Sequence, residues 1–140
     1  MRGANSTLFR GGTKIASILY FAAAFFLLAH GLVHLIGVVV YWQLAEVEEF
    51  PPYKNTLLNG RWEIGDIGMR IYGLFWLIAT LGFAAAAVGM VLRQDWWTPM
   101  LFRTSFFSLV VNALDWEWAK YGVILDSLIL ALLVVTQYLI

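Results

Sequence analysis

The sequence predicts an all-α integral membrane protein, an antiparallel four-helix bundle. Three observations predict it. The apolar share is 61% and the charged share 13%, so the chain has too few polar groups to cover a surface facing water. Four long apolar segments run along it, none with strand alternation. Most of the connections between them are short, which makes consecutive segments antiparallel neighbours. The length suits a single transmembrane domain over 1–140. Nine basic and nine acidic residues cancel, so no field draws the chain to nucleic acid. No cysteine is present, which removes disulfides, thiolate metal sites and thiol catalysis.

The first segment is 15–42. As a helix it would be roughly 42 Å long, more than the hydrocarbon layer of about 30 Å, so it should tilt or protrude. It is too long and lacks the cleavage pattern for a secretory signal. The second segment, 64–92, is rich in glycine and alanine, and "GFAAAAVG" carries small residues at helix-packing spacing. The third, 97–118, is interrupted by Arg103, Asn112 and Asp115. Pro99 suits its first turn. The fourth is 121–140 with Asp126 inside it. The loop 43–63, "QLAEVEEFPPYKNTLLNGRWE", is the one long connection, broken by Pro51, Pro52 and Gly60.

Basic residues set the orientation. Arg2, Arg10, Lys14, Arg93 and Arg103 fall on one side; Lys54, Arg61 and Lys120 fall on the other. Both termini are therefore expected in the cytoplasm of a cell-membrane protein. The outer face then carries Glu46, Glu48, Glu49, Glu63 and Asp66, and a belt of Trp42, Trp62, Trp116, Trp118 and Tyr121.

Polar residues inside apolar helices mark the candidate site. His30 and His34 lie one turn apart in "LAHGLVHLIG", and Gly37 and Tyr41 continue their stripe along the first helix. Ser105, Ser108, Asn112 and Asp115 recur at spacings of three, four and three, one helical face. Counting about 1.5 Å per residue, His34, Arg70, Asn112, Ser108 and Asp126 all fall roughly 6 to 12 Å inside the outer ends of their helices. Ala16, Ala23, His30 and Gly37 repeat every seven residues, as a helix-packing seam would.

These residues support three readings. In the first, His30, His34, Arg70, Ser108, Asn112, Asp115 and Asp126 line an outer-leaflet pocket. It would bind the polar head of a lipid-like or quinone-like ligand, or handle protons there. In the second, the chain is an accessory or scaffold subunit with a membrane-protein partner or a second copy, and the polar groups lock the bundle. In the third, His30, His34 and Asp126 hold a metal ion, as two imidazoles one turn apart with a carboxylate can. Haem between the two histidines does not fit, because axial ligands must approach from opposite sides. Asp126 has a structural alternative, an ion pair with Arg70, and Asp66 with Arg70 could form a local bridge.

The stretches "LAHGLVHLIG", "RIYGLFWLIATLGFAAAAVGMVL", "WW" and "YGVILDSLILALL" resemble a group of small four-helix bacterial membrane proteins, loosely DoxX-like. The likeness covers about residues 28–140. It implies a four-helix bundle, and no activity or site residue is carried over from it.

Overall fold

A computed structural model describes residues 5–46, 48 and 52–139. The expectations for Arg2, Glu49, Pro51 and Ile140 lie outside the described residues. Four helices follow in order: α1 (Asn5–Tyr41), α2 (Gly65–Val91), α3 (Trp97–Leu114) and α4 (Trp116–Leu139). A two-stranded antiparallel hairpin, β1 (Thr56–Leu57) with β2 (Trp62–Glu63), sits in the long loop and pairs Thr56 with Glu63. Leu58 and Asn59 turn it at φ of 52° and 55°, and Gly60 follows at 81°.

The expected four-helix bundle is what the chain forms. α1 packs on α2, α2 on α3 and α3 on α4. The fourth seam, between α1 and α4, is hardly closed. The α1–α2 loop and the α3–α4 junction lie at one end, where the Leu58 amide donates to the Leu114 carbonyl at 2.8 Å. At the other end Tyr20 of α1 meets Trp97 of α3 edge to face, and Arg93 lies over the Tyr20 ring.

Among the described residues, three helical stretches are long and apolar enough to cross a membrane: Thr13–Tyr41, Gly65–Val91 and Trp116–Leu139. α3 is not one of them, because its buried face is polar. Thr104, Ser105, Ser108 and Asn112 are all buried. The lipid-facing side of the bundle is apolar, with Phe21, Phe25, Leu32, Ile78, Leu81, Phe106 and Leu132 exposed. A soluble monomer rarely shows so much continuous apolar surface, whereas acyl chains solvate it at no cost.

The core follows from heptad-like stripes. On α1, Ala24, Leu27, His34, Val38 and Tyr41 are buried at spacings that keep one face inward. On α2, Met69, Tyr72, Trp76, Phe83 and Met90 do the same. The seam expected through Ala16, Ala23, His30 and Gly37 holds at His30 and Gly37, which are buried; Ala16 is exposed, and Ala24 and Leu27 carry the buried stripe nearer that end. Gly37 makes room on α1 for the Trp76 ring of α2. A Cβ there would stand 2.3 Å from the Trp76 ring. Gly37→Ala is therefore expected to destabilise the bundle by about 1 to 3 kcal/mol through overpacking, measured by unfolding in SDS titration. A neutral result would mean that the Trp76 ring moves aside freely.

Helix boundaries differ from expectation at three places. α1 starts at Asn5, not residue 15, since no proline interrupts "NSTLFRGGTK". α3 stops at Leu114, not residue 118, and α4 starts at Trp116, not residue 121. The cause is Asp115. It caps α3 at φ −114° and ψ 42°, outside helical geometry. Its carbonyl then accepts the amides of Trp118 and Ala119, which opens α4 at once.

Candidate functional site

The intramembrane polar residues gather into a network joining α1, α3 and α4. His30 Nε2 lies 2.8 Å from Asp126 Oδ1. His34 Nε2 lies 2.7 Å from Ser108 Oγ, and its Nδ1 is 3.0 Å from the His30 carbonyl oxygen one turn back. Ser108 Oγ is 2.6 Å from Asp126 Oδ2. The Asn112 amide donates to the same Oδ2 at 2.8 Å and to Ser108 Oγ at 3.2 Å. Asp126 is fully buried and His34 is 2% exposed. The carboxyl group thus has three protein partners, as a buried acid requires.

Each helix places its residue for a local reason. Histidines 30 and 34 are four residues apart, so both rings leave α1 on one face, with centroids 5.0 Å apart and planes nearly perpendicular. Phe83 and Trp76 of α2 wall the rings on the far side. Ser108 and Asn112 are likewise one turn apart on α3. Gly122 of α4 lets Asn112 reach the carboxyl group, since a Cβ there would stand 2.5 Å from Asn112 Nδ2.

Asp115 belongs to a second cluster, one to two turns further out. Its Oδ2 accepts from the Tyr41 hydroxyl and its Oδ1 from Lys54 Nζ. Lys54 comes from the long loop, so this cluster ties the loop to the ends of α1 and α3. Tyr72 donates to the Val111 carbonyl beside it at 2.6 Å. The sequence singled out Asp115 and placed Tyr41 on the polar stripe of the first helix, but overlooked Lys54. Nothing in the loop marked Lys54 as a partner.

Arg70 joins neither cluster. It is exposed, one position beyond the buried Met69, on the side of α2 turned from the core. Its carbonyl accepts the Trp42 indole N–H at 2.9 Å, and its guanidinium makes no ion pair among the described residues. Asp126 pairs with His30 instead, and Asp66 accepts from Tyr53 at 2.5 Å rather than bridging to Arg70.

A cleft of about 540 Å³ opens along the loose α1–α4 seam. Its walls are mainly apolar, from Phe26, Val33, Ile36 and Val40 on α1 and Leu125 on α4. Its floor reaches His30, His34 and Asn112, and its end nearer the long loop reaches Tyr41 and Asp115. Ala29 and Val33 border it and are themselves exposed, so they stand at its rim. The cleft therefore opens sideways, toward lipid.

His30, His34 and Asp126 each offer a ligand atom within 4.8 Å of the others, so these three could converge on a metal ion. The same atoms are engaged in the hydrogen bonds described, and an ion would have to replace the His30–Asp126 and His34–Ser108 bonds.

No family model, curated protein or solved structure matches the chain.

Proposed function

We propose that the protein binds a membrane amphiphile, lipid-like or quinone-like, in the α1–α4 cleft. The observation that carries this reading is the meeting of a lipid-facing apolar cleft with a buried polar floor. The cleft volume is within the range of small-molecule sites, and such sites pair apolar walls with a few fixed polar groups. The occupant's head would lie against His30 and Asn112, and its tail along Phe26, Val33 and Leu125. The cell membrane, with both termini in the cytoplasm, is the setting that the basic residues favour.

Native mass spectrometry from mild detergent tests it. The wild-type protein is expected to retain one small amphiphile per chain. Ala29→Trp, which fills the rim without touching the network, is expected to lose it while unfolding like the wild type. Equal retention by both proteins, or an empty wild-type chain, would overturn the reading.

A subunit role is the second reading. α4 buries only Ala119, Asp126, Ile129 and Leu133, which leaves most of an apolar helix free for a partner or a second copy. A metal centre of His30, His34 and Asp126 is the third, and metal analysis of the same sample reads it out.

A further inference from the structure

Counting donors and acceptors in the network assigns its protons. The His30 carbonyl oxygen can only accept, so His34 Nδ1, 3.0 Å from it, carries hydrogen. Ser108 Oγ stands 2.7 Å from His34 Nε2 and 2.6 Å from Asp126 Oδ2, and each contact needs one proton between its atoms. Ser108 owns a single hydroxyl proton. Only two arrangements satisfy both gaps. In one, Asp126 is a carboxylic acid whose Oδ2–H donates to Ser108, and Ser108 donates to the bare Nε2 of a neutral His34. In the other, His34 is an imidazolium that donates to Ser108, and Ser108 donates to the Asp126 carboxylate. The neutral arrangement is favoured at this depth, because separated charges are costly there.

Both arrangements treat His30 alike. Oδ1 of Asp126 accepts in either one, so His30 Nε2 carries hydrogen and donates to it. His30 Nδ1 is then a bare lone pair. It has no hydrogen-bond partner among the described residues, and it is not one of the polar atoms sealed from the surroundings without a partner. The His30 ring borders the cleft.

From this geometry we infer that His30 Nδ1 is the cleft's hydrogen-bond acceptor, its ring held in that tautomer by Asp126, Ser108 and His34 behind it. The inference rests on the amphiphile reading and narrows it: the ligand carries a hydroxyl donor on its head, as a phenol or a quinol does. The hydroxyl keeps its proton, since a phenol is a weaker acid than a carboxylic acid and the carboxylic acid here keeps its own. Among the described residues, no other ionisable side chain faces this chain of bonds. α2 presents Trp76 and Phe83, and α3 presents only Ser108 and Asn112. Asp115, Lys54 and Tyr41 form the separate outer cluster.

Two measurements on the full chain in nanodiscs test the assignment. The first is ¹⁵N NMR of labelled histidine. The two neutral rings are expected to be opposite tautomers, hydrogen on Nε2 in His30 and on Nδ1 in His34. Identical tautomers, or one zinc ion per chain, would overturn it. The second is binding of an alkyl-nitrophenol, whose phenolate absorbs in the visible, against its methyl ether, with empty discs subtracted. The phenol is expected to bind about tenfold tighter, the worth of one hydrogen bond. Its ionised fraction is expected to fall on binding, because the neutral phenol is the form that donates to His30, and a rise would overturn the assignment. Equal binding of phenol and ether would overturn the acceptor role of His30 and leave the cleft reading standing. Failure of both probes to bind would overturn the cleft reading itself.

Discussion

Asp126→Leu is expected to destabilise the bundle by about 2 to 4 kcal/mol. Asp126 is the one α4 side chain in the network, and it holds His30, Ser108 and Asn112 together. Leucine has a similar volume but accepts nothing, so three buried polar groups lose a partner at once. A single bond in a membrane protein averages about 0.6 kcal/mol, but leaving a buried polar group unpaired costs about 1 to 3 kcal/mol. α4 has few other ties to α1, so the loss falls on the seam with the least packing to absorb it. Asp126→Asn retains the shape and one acceptor and is expected to lose about half as much. SDS-titration unfolding, followed by tryptophan fluorescence, measures both. Wild-type stability in Asp126→Leu would show that the network adds nothing to the fold.

Lys54→Met is expected to have a comparable effect, about 2 to 3 kcal/mol, by a different route. Asp115 is 2% exposed, and its two oxygens are held by Tyr41 and Lys54. Removing the ammonium leaves a buried carboxylate with one neutral partner. Breaking a buried pair from one side costs about 3 to 5 kcal/mol, reduced here because the Lys54 side chain is 19% exposed. The damage should be local. Hydrogen exchange of the hairpin amides at 56–63 is expected to speed up, because Lys54 and the Leu58–Leu114 bond are what hold this loop to the α3 end. Unchanged exchange there would mean that the buried Leu57 alone anchors the loop.

Much of this arrangement could be read from residue spacing. The composition and the four apolar runs specified a membrane bundle, and the one-face spacing of Ser105, Ser108 and Asn112 placed the polar side of α3 correctly. His30 and His34 shared a face because helical geometry requires it. What depth alone could not decide was azimuth. Arg70 lies at a suitable depth but sits one residue off the buried stripe of Met69 and Tyr72, and 100° of rotation turns it outward. Asp115 lies on the right face of α3, but it falls two turns beyond Ser108 and meets Tyr41 and Lys54 instead. Its role as the break between α3 and α4 was hidden for the same reason. Nothing near it in sequence announces a partner from the loop. The open α1–α4 seam was also illegible, since it depends on how all four helices pack rather than on any one of them.

The most direct measurement is a density map of the protein purified in lipid nanodiscs. The cleft reading predicts elongated density between α1 and α4, with its head within hydrogen-bonding distance of His30 or Asn112 and its tail along Phe26 and Leu125. A seam closed by its own side chains, or filled by a helix of another chain, would contradict it.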